Sequence, residues 1–131
     1  MTIRELHDQA MDILIDALRA RQLKNQREAL VHFAKAFELE KEAALQAVEK
    51  NVEEPTRSVL LRSAACFAVD CEKYEEAEQL AALALSGKPP KSVAKELREL
   101  LSEVFQKIDG FPNPRNTEQT QEQEEPELVT V

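Results

Sequence analysis

Apolar residues recur along this chain at three- and four-residue spacing, and that spacing predicts five helices in succession. On the first, Ile3, Leu6, Ala10, Ile13, Leu14, Ala17 and Leu18 form one stripe that lasts to about Leu23. Thr2 and Glu5 open it as a capping box, each side chain answering a free backbone N–H. After the polar turn Lys24-Asn25-Gln26-Arg27, a long second helix carries Ala29, Leu30, Phe33, Ala36, Phe37, Ala44, Leu45 and Val48 to about Lys50. Pro55 lacks an N–H and disfavours helix at the residue before it, so residues 51–56 form a break.

The run Val59, Leu60, Leu61, Ala64, Ala65, Cys66, Phe67, Ala68, Val69 is apolar on most of its circumference, which predicts a third helix at the centre of the fold with neighbours on several sides. A fourth runs from about Tyr74 to Ser86 with Ala77, Leu80, Ala81, Ala84 and Leu85 inward, and Gly87 stands where a left-handed C-terminal cap belongs. The fifth opens after Pro89 with Pro90 in its first turn, carries Val93, Leu97, Leu100, Leu101, Val104, Phe105 and Ile108, and closes at Asp109-Gly110. Beyond Gly110 the chain is Gln-, Glu- and Pro-rich with almost no apolar residue before its last four. Such a segment cannot offset the entropy of ordering, so residues 1–110 are expected to fold and 111–131 to form a disordered acidic tail.

Composition narrows the class. A chain of 131 residues with 43% hydrophobic content suits one domain, and the absence of Trp with only two Gly favours packed helices over sheets. The net charge of -8 argues against nucleic acid, whose phosphates require clustered Lys and Arg. Half of that charge is in the tail, where Glu118, Glu122, Glu124, Glu125 and Glu127 face only Arg115, so the body is mildly acidic. The start is polar at once and no apolar run approaches the ~20 residues of a membrane span, which predicts a cytoplasmic protein without membrane contact. Cys66 and Cys71, five apart on one helix, point in different directions and suit a reducing compartment; both read as small buried residues.

The segment from Leu61 to Pro90 resembles a tetratricopeptide repeat, the helix-turn-helix unit of about 34 residues. Leu61 stands at the family's Trp position, Ala64 at its Leu, Ala65 at its small residue and Ala68 at its Tyr. Glu72-Lys73-Tyr74-Glu75-Glu76-Ala77 resembles the family's turn and second helix, Ala81 replaces its Phe, Ala84 matches, and Pro89 ends the unit. An earlier copy is present as Ala29, Phe33 and Ala36, without a closing Pro because Lys41 occupies that position. Ala29 and Ala77 are 48 residues apart, about 14 more than one family period, the excess falling mostly in helix two. The resemblance covers about half the chain. It implies an all-α fold of antiparallel helical hairpins in a right-handed TPR-like stack, two repeats with helix five as a solvating cap.

It also implies a non-catalytic adaptor or scaffold, binding a peptide or helix in a groove lined by the first helix of each unit. On the third helix that face carries Val59, Arg62, Cys66 and Val69. The family's carboxylate-clamp members use Lys and Asn one turn apart on this face, and Cys66 at the Asn position argues against that activity. Because about three repeats are usual for a stable stack, a self-assembling homodimer is the alternative.

Three sharper motifs compete with plain structural roles. His32, in Val31-His32-Phe33-Ala34-Lys35-Ala36, is similar to the H-x-x-K-G motif of histidine phosphotransfer bundles, but Ala36 replaces the Gly, and a surface histidine is the simpler reading. Next to His7, the spacing of Asp8, Asp12 and Asp16 places three carboxylates down one helix face without a second ligand-bearing element, so a solvated face is expected and no metal. Leu128-Val129-Thr130-Val131 is an apolar tip that could add to a partner's sheet edge, or an unconstrained terminus. No phosphate loop, nucleophile elbow or activated cysteine is evident, so neither enzymatic activity nor a cofactor is expected.

Overall fold

A computed structural model describes residues 1–110; the expected tail and its apolar tip lie outside the described residues. The fold is all-α, with five helices and no strand among the described residues: α1 (Ile3–Gln22), α2 (Gln26–Glu49), α3 (Thr56–Asp70), α4 (Tyr74–Leu85) and α5 (Lys91–Asp109). Each helix packs on the next in antiparallel succession. Side-chain bridges sort them into two layers. Arg21 reaches Asp70 at 3.0 Å and Arg62 reaches Glu96, tying α1 to α3 and α3 to α5, while Lys41 Nζ meets Glu76 Oε1 at 2.8 Å, tying α2 to α4.

Small residues set the close approach of the layers. Ala10, Ala36, Ala43, Ala44, Ala47, Ala64, Ala65, Ala68, Ala77, Ala81 and Ala84 are all fully buried, with Leu6, Phe37, Leu61, Leu97 and Val104 filling the space between them. Ala17, Ala20, Ala29 and Phe33 form a second cluster at the α1–α2 turn. With so little side-chain volume between backbones, any added methyl must displace a helix.

The helix ends are specified by two devices. Thr2 and Glu5 form the expected capping box, and the Asn25 side chain accepts from the Glu28 N–H at the start of α2. At the other ends, α1, α2 and α3 stop alike: the N–H groups of Asn25, Val52 and Lys73 reach back to the carbonyls of Ala20, Ala47 and Ala68. This is the Schellman stop, and its left-handed residue is Lys24, Asn51 or Glu72, with φ near 60° and no glycine used.

Several expected details are corrected. Gly87 is not a left-handed cap, since α4 ends on a right-handed Ser86 and Gly110 is the glycine with positive φ. Gly87 instead leaves room: a Cβ there would strike the Arg57 guanidinium and press on Glu54. Pro90 precedes α5 as its N-cap rather than standing in its first turn. Leu18, Leu30 and Leu45, expected inside, are exposed because α1 and α2 bury only the faces they turn to each other and to α3. Helix five is not a solvating cap along its whole length, because Phe105 and Ile108 remain 43% and 37% exposed with no further described helix to cover them.

Candidate functional site

The four expected groove residues share one edge of α3, at i, i+3, i+7 and i+10, but they do not share one opening. Arg62 and Cys66 line a cavity of 850 Å³ between α3 and α5, with Ser63, Phe67, Glu96, Glu99, Leu100, Glu103, Gln106 and Lys107. Val59 belongs to a second opening of 540 Å³ at the start of α1 and α3, walled by Ile3, Arg4, His7, Pro55, Thr56 and Leu60. Val69 is half-buried against the core.

The two openings flank α3, one toward α5 and one toward α1, and together mark out one face of α1, α3 and α5. Ile3 and His7 at the start of α1 meet Thr56 and Val59 at the start of α3, and Arg21 near the end of α1 meets Asp70 at the end of α3, so the two helices run side by side in the same direction. His7, Met11, Leu14 and Leu18 lie on one edge of α1 by their i, i+4, i+7 and i+11 spacing, and His7 fixes that edge as the one beside α3. Ile15, one step further round, is 55% exposed and Leu18 is 45% exposed.

Cys66 is exposed at the floor of the α3–α5 cavity, against the expectation that both cysteines are buried. The reason is that α2 and α4 cover the back of α3, whereas α1 and α5 flank its front without closing over it. Desolvation by the cavity walls and the charges of Asp70, Glu96 and Glu103 raise the thiol pKa, and Arg62 only partly counters them, so this cysteine is not an activated nucleophile. Cys71 is half-buried, and its thiol donates to the Ala68 carbonyl oxygen.

The feature that sequence reasoning missed lies beneath this face. Glu40 of α2 is 0% exposed, and His7 Nδ1 sits 3.0 Å from both of its carboxylate oxygens. An ionised carboxylate only accepts hydrogen bonds, so with Glu40 ionised the donor is the Nδ1–H of His7. Burial pushes the Glu40 carboxyl above its ordinary pKa; the hydrogen bond and charge of His7, and the Ser63 hydroxyl of α3, hold it only partly down. A signal was present: Glu40 falls in register with Phe33, Ala36, Phe37, Ala44 and Ala47, a lone charge inside the apolar stripe of α2.

The residues expected to pack a repeat differ in burial. Ala29, Phe33, Ala36, Leu61, Ala64, Ala65, Ala68, Ala77, Ala81 and Ala84 are buried, while Tyr74 and Pro89 are half-buried at the ends of α4. His32 is half-buried with Nε2 3.5 Å from Glu28, in a cleft that also holds Asp16 and Arg19. Asp8 and Asp16 bridge to Arg4 and Arg19, and no group of three potential ligands converges among the described residues. No helix among the described residues is long and apolar enough to cross a membrane. No family model, curated protein or solved structure matches the chain.

Proposed function

We propose that this chain is a non-catalytic protein-interaction module of the tetratricopeptide-like kind, an adaptor or scaffold that receives a peptide or helix on the concave face of α1, α3 and α5. The observation that carries the reading is the front of α3, which stays open between its two flanking helices although the same helix is fully enclosed behind. Alternation of the helices between two layers supports the repeat-like reading, as do the buried small residues at the family's packing positions. Two free thiols suit a cytoplasmic setting.

The test is capture of partners by the full chain beside Cys66→Trp, which fills the floor of the open cavity from an exposed position. A partner held by the parent and lost with the variant supports the reading; equal capture by both overturns the location. The second reading is a homodimer, favoured by the exposed Phe105 and Ile108 on α5. Light scattering of Phe105→Glu beside the parent separates it, since a dimer built on that edge dissociates and a monomer is unaffected.

A further inference from the structure

The part of the chain that comes next after the α3–α5 cavity is the stretch that follows α5. Gln106 and Lys107 wall one end of the cavity, in the last turn before α5 stops at Asp109. Gly110 then turns left-handed, φ 78°, with its N–H bonded to the Gln106 carbonyl oxygen, so the chain leaves the helix axis beside the opening. Phe111-Pro112-Asn113-Pro114-Arg115 follows. Each proline disfavours helix at the residue before it, which biases Phe111 and Asn113 to extended backbone and lowers the entropy lost on ordering the stretch. At about 3.1 Å per residue, Phe111 to Arg115 spans about 12 Å. Glu103 lies seven residues before Gly110, about 10 Å back along α5. A strap folded back along α5 therefore brings Arg115 to Glu103.

Charge selects the same stretch. Glu103 lines the cavity together with Cys66, is exposed, and forms no described hydrogen bond or ion pair, whereas Glu96 is held by Arg62. Arg115 is the one cation after Gly110, and the five glutamates beyond it would be set against the acidic wall. We infer that the α3–α5 cavity is covered by the chain's own residues 111–115, with Arg115 on Glu103. The cover follows from the cavity, the reach and the charge; its role as a gate that a partner must displace rests on the adaptor reading above.

Cys66, on the cavity floor, reports the cover in the full chain with no partner present, so failure of the strap leaves the adaptor reading standing. Alkylation by N-ethylmaleimide is followed by peptide mapping, with the half-buried Cys71 as internal reference. Arg115→Glu should speed alkylation of Cys66 by about threefold or more, the scale of an exposed ion pair lost and reversed, and leave Cys71 unchanged. The field of the new carboxylate acts the other way, since an anion near the thiol raises its pKa and slows the reaction, so acceleration marks uncovering. Adding Glu103→Arg to Arg115→Glu should restore the parent rate, although a guanidinium beside the thiol would by itself quicken it. Equal rates in the parent and Arg115→Glu would overturn the cover. Acceleration that the swap does not reverse would overturn Glu103 as the anchor. Protection of the parent that fades on dilution would give the strap to a second copy and overturn the intramolecular form.

Discussion

Every residue enclosed in the hairpin α3–α4 is apolar except Ser58, whose hydroxyl donates to the Pro55 carbonyl oxygen; the hairpin α1–α2 encloses a glutamate. The contrast extends to their ends, since α1 and α2 each begin on the side chain of their own N-cap residue, whereas the Ser58 N–H in the first turn of α3 is met by Glu54, one residue before the N-cap, and α4 has no side-chain cap. The central hairpin has helices packed on it from both directions, α2 on one side and α5 on the other. The terminal hairpin has a neighbour on one side alone. Local capping and one charged clamp, His7 to Glu40 to Ser63, do there what enclosure does at the centre. The difference teaches that α1 is the helix whose attachment depends on chemistry that a solvent proton or a single substitution can change.

The largest expected effect breaks the central hairpin. Leu61 is fully buried among alanines that cannot collapse into the space it leaves, so Leu61→Ala should cost about 4 kcal/mol, read as a lower midpoint in urea unfolding. A loss under about 1 kcal/mol would mean that the α3 core is loosely packed, and the contrast with the first hairpin would fail.

The next effect is aimed at the clamp. His7→Ala removes the imidazole that hydrogen-bonds a buried carboxylate and should cost about 3 kcal/mol at neutral pH. The folded pKa of Glu40 lies above its ordinary 4.5, so the fold disfavours the ionised form; that penalty is complete above the folded pKa and fades as pH falls toward the unfolded value. The cost of His7→Ala should therefore shrink between about pH 7 and pH 5, as the orphaned carboxylate takes up a proton in place of its lost partner. Glu40→Gln in the same background should recover most of the loss at neutral pH. Urea unfolding of the three variants at both pH values checks the sign, and a cost independent of pH would show that His7 acts by packing alone.

How much of this was legible in the sequence follows the same division. All five helices were visible, because apolar periodicity is strong in each and Pro55, Pro89 and Gly110 punctuate them. The packing alanines were visible as apolar positions at helical spacing. The charged clamp was not, since a stripe is read by its majority and the partners His7 and Glu40 are 33 residues apart. The edge of α3 was legible as one helix face, but the division of its residues between two openings was not, because the Arg62 partner, Glu96, comes from α5, 34 residues on. The exposure of Leu18, Leu30 and Leu45 was missed for a related reason: periodicity fixes the centre of a buried face and says little about its width.

The smallest effect sharpens the comparison, because it should be equal in the two hairpins. Lys24 ends α1 and Glu72 ends α3 with the same backbone path, φ of 62° and 65°, closed by the same pair of N–H bonds to the preceding helix. A side chain in this left-handed conformation costs about 1–2 kcal/mol, and glycine there avoids it while adding about 0.5–1 kcal/mol of backbone entropy to the unfolded chain. Lys24→Gly and Glu72→Gly should therefore each stabilise by up to about 1 kcal/mol, raising the urea midpoint without changing its slope. Both side chains are exposed and neither forms a described hydrogen bond or ion pair, so little else changes with them. Equal gains would confine the difference between the hairpins to what they enclose. A gain at Lys24 alone would extend that difference to the turns, with the α3–α4 turn held in its left-handed form by its neighbours whatever residue occupies it.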